Sequence, residues 1–89
     1  GDIAGLQNLY LSYNQIVTFN PTIPLPAGLT FLYLNGNQMT TQGYVDSKPW
    51  ADTMNVVANR GKIYFYNNID TVVGTSLAEE LTSKGWVIV

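Results

Sequence analysis

An 89-residue chain has room for one small domain, and 46% apolar against 11% charged residues is the balance of a chain that buries a core. Four basic residues, Lys48, Arg60, Lys62 and Lys84, stand scattered against six acidic ones at a net charge of −2, which argues against nucleic acid as a ligand. With no Cys and no His, the chain lacks thiolate chemistry, the commonest metal ligand and the commonest general base, and no apolar run approaches the roughly 18 residues needed to span a bilayer.

The first predicted element is a short strand around Leu9. Leu6, Leu9, Leu11, Asn14 and Ile16 recur as Leu29, Leu32, Leu34, Asn37 and Met39, so L-x-x-L-x-L-x-x-N-x-(I/M) is written twice at an offset of 23 residues. Each copy encodes a strand whose alternate residues point into a core, then an Asn whose amide can satisfy backbone groups as the chain turns. One copy cannot bury its own apolar face, so copies must stack. Between the copies, Pro21, Pro24 and Pro26 exclude an α-helix and leave an irregular connector. Phe19, Ile23 and Leu25 supply its apolar contacts.

The second connector, residues 40–61, is long enough for a helix, with Trp50, Met54 and Val57 on one face. Pro49 is tolerated in a first turn, which predicts a start near Ser47 as N-cap, a separate turn over Thr41 to Val45, and closure at Gly61. A competing reading pairs residues 54–58 with 63–66 as a hairpin across Asn59-Arg60-Gly61. A degenerate third copy follows, with Ile63, Phe65 and Asn68 in the places of Leu32, Leu34 and Asn37. Arg60 replaces its leading Leu, and Ile69 falls one place before the expected apolar site, which Asp70 occupies. In the third connector, Ser76 and Glu79 form a capping box, Leu77 and Leu81 share a helical face, and Gly85 is a stop. The closing strand, residues 86–89, places Trp86 and Ile88 inward, so inward positions fall at 9, 32, 63 and 86, in steps of 23, 31 and 23. The repeats then span about residues 6–28, 29–59 and 60–82. The chain enters its first repeat with no amphipathic cap before it, as expected of a fragment or a reduced member of a longer array.

The segment from Ile23 to Met39, with Leu29, Leu32, Leu34 and Asn37 at its centre, resembles a bacterial or bacteriophage leucine-rich repeat, and the tail from Leu81 through Gly85-Trp86-Val87-Ile88 resembles the closing unit of such segments. The resemblance covers nearly the whole chain. It implies an α/β fold, a short right-handed leucine-rich-repeat solenoid of three to four parallel strands with irregular and helical convex connectors. It also implies protein or glycan recognition on the concave face. The chain departs from the family in its enlarged second unit and its low copy number.

Tyr10, Tyr33 and Tyr64 occupy the same solvent-facing position in successive copies. Parallel strands lie about 4.8 Å apart, so the three rings are expected to form an aromatic strip, with Tyr13, Tyr66, Ser12 and Asn35 adding hydroxyl and amide groups. Two readings stay open: a binding surface for a peptide or a sugar, or cross-strand contacts that stabilise a small sheet. Asn14, Asn37 and Asn68 read as a structural ladder that holds the turns. Of the carboxylates Asp2, Asp46, Asp52, Asp70, Glu79 and Glu80, only Glu79-Glu80 form a close pair, and these belong to the first turn of a helix, where negative charge meets the dipole favourably. The serines have no histidine to activate them, and there is neither a calcium loop nor a glycine-rich phosphate loop. Trp50 and Trp86 read as core residues. The expectation is a noncatalytic recognition or assembly module, without cofactor or metal, whose partner is a protein or a glycan. The alternative is a purely structural cap or appendage of a larger phage or bacterial surface assembly. The edge of the closing strand is a place where a second copy could pair.

Overall fold

The computed structural model describes residues 7–21, 28–54 and 61–89. Among them four short strands, β1 (Asn8–Tyr10), β2 (Phe31–Tyr33), β3 (Gly61–Tyr64) and β4 (Trp86–Ile88), form one sheet in the order β1-β2-β3-β4. Every neighbouring pair is parallel. Helices α1 (Thr41–Asp52) and α2 (Ser76–Ser83) lie in the second and third connections, which makes this a small α/β domain. No helix among the described residues is long and apolar enough to cross a membrane.

The period of two sorts the strands. Leu32 and Ile63 are fully buried, Trp86 nearly so, and Leu34 and Phe65 follow them inward, while Leu9 at the β1 edge is half-buried. They meet Tyr44, Trp50 and Ala51 of α1 and Leu77 and Leu81 of α2 in one apolar cluster, where each large side chain contributes roughly 1.5–3 kcal/mol. Phe19, from the irregular first connector, joins that cluster edge-on to Trp50 at 4.8 Å. Ile23, Leu25, Pro24, Pro26 and Val57 fall outside the described residues, as does most of the segment over which helix and hairpin compete.

Register differs from expectation at one place. Leu9 pairs with Leu32 and Leu32 with Ile63 as the repeat requires, but Ile63 pairs with Ile88, and Trp86 lies beside Gly61. The steps are therefore 23, 31 and 25 residues. Gly61 opens β3 instead of closing a helix, and it puts no side chain beside the largest one in β4. Its φ of 149° and the approach of Thr30 O, 1.8 Å from where a Cβ would stand, both require glycine.

Both helices begin earlier than the sequence predicts. α1 runs unbroken through the expected separate turn, with Thr40 as N-cap accepting from Gly43 N–H at 3.0 Å. Ser47, expected as the cap, is buried in mid-helix, where its hydroxyl donates to Gly43 O and accepts from Phe19 N–H, both at 2.7 Å. Pro49 is inside the helix, and the carbonyl it leaves without a helical donor belongs to Val45 on the exposed face. The start is set from a distance as well, because the Asp70 carboxylate accepts from Thr41 N–H at 2.8 Å and supplies negative charge at the positive end of α1. α2 is capped by Thr75, one residue before Ser76, through Ala78 N–H. At the other end of α1, the nearly buried Lys84 of α2's C-cap donates to Ala51 O at 2.7 Å and Asp52 O at 3.0 Å, fastening the two helices together.

Candidate functional site

The strand residues that do not enter the core make the sheet's outward face. Tyr10, Tyr33 and Tyr64 stand in file there because Tyr10 pairs with Tyr33 and Tyr33 with Tyr64. Their ring centroids are 4.5 Å apart in both steps, with interplanar angles of 13° and 1°. The rings therefore lie face to face, and both faces of Tyr33 are covered by its neighbours. What the column offers to solvent is ring edges and a row of three phenol hydroxyls, with Tyr10, 66% exposed, at the β1 edge. Desolvation in this file, and then the neighbouring Tyr10 and Tyr64 hydroxyls, hold the Tyr33 phenol above its ordinary pKa.

The flanking column, at rungs 8, 31, 62 and 87, holds Asn8, Phe31, Lys62 and Val87. Phe31 lies 6.4 Å from Tyr33, centroid to centroid, and Lys62 and Val87 are exposed. Sequence reasoning passed over Phe31 and Lys62, although their position two residues before Tyr33 and Tyr64 puts them on the same face.

Of the other expected site residues, Tyr66 sits edge-on to Tyr64 at 6.3 Å and leads away from the file into a cleft of about 330 Å³ shared with Phe65, Asn68, Val72, Ile88 and Val89. Ser12 and Asn35 are occupied with each other: the Ser12 hydroxyl donates to Asn35 Oδ1 at 2.8 Å, and Asn35 is 3% exposed. Tyr13 lies over Gly36, its ring 2.5 Å from where a Cβ of that residue would stand.

Beside the face runs a file of amides. Asn37 Oδ1 accepts from Asn14 N–H and Ile16 N–H, and its Nδ2 donates to Leu11 O and Leu34 O. Asn68 repeats the pattern one unit on, accepting from Met39 N–H and donating to Leu34 O and Phe65 O. Asn14, at the exposed end, donates to Leu11 O and Ser12 O. Each of these Asn follows a residue in the left-handed region, Tyr13 (φ 58°), Gly36 (φ 72°) or Asn67 (φ 59°). In the middle copy the strain that an L side chain would feel is avoided by glycine, which the overlying Tyr13 ring also demands. The apolar site after the third Asn is filled by buried Val72, so that Ile69 is 63% exposed and Asp70 is released to cap α1.

On the helical side Asp46 accepts from Gln42 Nε2 at 3.0 Å, and Asp52 and Glu80 lie in ion pairs. Asp52 meets Lys48 at 3.0 Å, and the Lys48 hydrogen bond, ahead of other contributions, holds its carboxyl below the usual range. Glu80 lies 3.8 Å from Lys48 and 3.9 Å from Lys84. No three His, Cys, Asp or Glu gather to hold a metal ion among the described residues.

No family model matches the chain, and neither a curated protein nor a solved structure matches it.

Proposed function

We propose that the chain is a short leucine-rich-repeat solenoid acting as a noncatalytic recognition module, with the outward face of the sheet as its contact surface and a protein as its partner. The observation that carries this is the file of Tyr10, Tyr33 and Tyr64, stacked at 4.5 Å on the solvent side of a parallel sheet. The repeated L-x-x-L-x-L-x-x-N pattern, the parallel strands in sequential order and the amide file support the solenoid reading. Pre-stacked rings are rigid anchors that lose little rotamer freedom on contact, which favours binding. Among the two partner classes that such a face suits, the covered ring faces weigh against sugars, which stack on exposed faces, and favour a protein segment that meets edges and hydroxyls. The engagement of Asp70 in a helix cap and of Asp52 and Glu80 in ion pairs supports a noncatalytic role.

The test is panning of a random peptide display library against the intact chain, followed by binding of synthetic enriched peptides to wild type and to a Tyr10→Ala/Tyr33→Ala/Tyr64→Ala variant. Cross-strand pairs contribute roughly 0.2–1 kcal/mol each, so the variant is expected to melt slightly lower and to lose the peptides. Enriched peptides that bind the triple variant as well as wild type, or a library that yields no enrichment, would overturn the assignment. A large drop in melting with undiminished peptide binding would instead assign the file to sheet stability alone.

A further inference from the structure

On the reading of the outward face as a recognition surface, we propose that its partner is an acidic segment of another protein, an extended stretch in which apolar side chains flank an Asp or Glu that pairs with Lys62. The argument is the segregation of charge. The protein carries a net charge of −2, yet the described strands contain one charged side chain, and it is the cation Lys62. Asp46 and Asp52 belong to α1, Glu79 and Glu80 to α2, and Asp70 to the turn that caps α1. Every described acid is thus in a helix or in the turn that caps one, and none is in a strand.

The other described lysines are committed. Lys84 is nearly buried on the end of α1, and Lys48 is held between Asp52 and Glu80. Lys62 is exposed and forms no ion pair among the described residues. It is flanked across the rung by Phe31 and Val87 and along β3 by Tyr64, so its ammonium rises from an apolar, aromatic surround. A carboxylate brought here forms an exposed ion pair, modest in strength but selective for the sign of the partner's charge. Side chains two apart on an extended chain are spaced like Lys62 and Tyr64 on β3, about 6.6 Å, so an acid-x-apolar sequence can place its carboxylate on Lys62 and its next same-side residue on the tyrosine file. Among the described residues of this face there is one cation, and one cation neutralises a single phosphate, too little for a polynucleotide, which sets a carboxylate-bearing protein segment ahead of nucleic acid.

The experiment uses the intact chain and synthetic peptides taken from the display selection. Enriched peptides are expected to carry Asp or Glu two residues from an aromatic or aliphatic residue. Replacing that acid by its amide is expected to weaken binding about two- to fivefold, the range of an exposed ion pair. Lys62→Arg is expected to preserve binding and Lys62→Glu to lower it by more, with preference turning to the corresponding basic peptides. Because Lys62 is exposed, circular dichroism should show all variants folded. Peptides that need the three tyrosines but are indifferent to Lys62→Glu would overturn the acidic-partner proposal and leave the recognition surface standing. Peptides indifferent to the tyrosines, or none enriched, would remove both.

Discussion

Asn37→Ala tests whether the amide file holds the turns. The side chain makes four good hydrogen bonds, two as acceptor from Asn14 and Ile16 N–H and two as donor to Leu11 and Leu34 O. The carbonyls are shared: Leu11 O keeps Asn14 Nδ2 and Leu34 O keeps Asn68 Nδ2 after the substitution. The loss therefore falls mainly on the two N–H groups, and four bonds at about 0.5–1.5 kcal/mol net each, less the relief that water gives at the partly exposed first turn, come to about 2–4 kcal/mol. A domain of this size holds roughly 4–13 kcal/mol in all, so the effect is a large fraction. Asn14→Ala is the internal control, since it removes two bonds at an exposed end and should cost under about 1 kcal/mol. Urea unfolding followed by tryptophan fluorescence, with unchanged m, measures both. If Asn37→Ala costs no more than Asn14→Ala, the reasoning about the file is refuted.

Other outcomes follow from separate features. Burial, and then the charge of Asp70, push the Tyr44 phenol up to about 12 from 10.0. The unfolded chain therefore ionises first, and stability present below pH 10 should fall as pH rises toward about 12. Tyr44→Phe should flatten that loss while giving up the bond from its hydroxyl to Asp70 O, measured by denaturant unfolding across alkaline pH with phenolate absorbance in parallel. Lys84→Met keeps an apolar stem but removes the ammonium from Ala51 and Asp52 O. It should cost about 1.5–3 kcal/mol, the range of hydrogen bonds to a charged group, with amide exchange quickening first at the end of α1. Val72→Ala should cost about 1–2 kcal/mol by opening a cavity, whereas Ile69→Ala should stay within about 0.5 kcal/mol. Equal effects in a thermal melt would mean that Val72 does not fill the third copy's apolar site.

The strands and the tyrosine file were legible because both depend on short-range periodicity. Leu9, Leu32 and Ile63 share one offset each with Tyr10, Tyr33 and Tyr64, so a parallel register of the first three strands places both columns at once. The fourth register was not legible, because the fit of Trp86 beside a glycine depends on side-chain volume across strands and leaves no mark in a repeat offset. Helix starts were displaced for a related reason. Ser47 has the composition of an N-cap, but the packing of Phe19 on α1 makes it an internal bridge, and Asp70, far along the chain, stabilises the start at Thr41. The apparent flaw in the third copy, a carboxylate where an aliphatic residue belongs, is the same fact seen from the sequence side. On the face itself, the periodicity gave the positions of the tyrosines but not that they would turn their planes onto one another, a matter of rotamer and spacing.

Units of 23, 31 and 25 residues all advance the sheet by a single strand. Differences in length are thus absorbed in the connections, whose described helices pack behind the sheet. Such a chain can drift in length over evolutionary time, or be lengthened by an engineer, while the columns of its outward face stay aligned. One residue gained between Leu9 and Asn14, by contrast, would swing Tyr10 to the opposite side of its strand or pull the amide off its carbonyls.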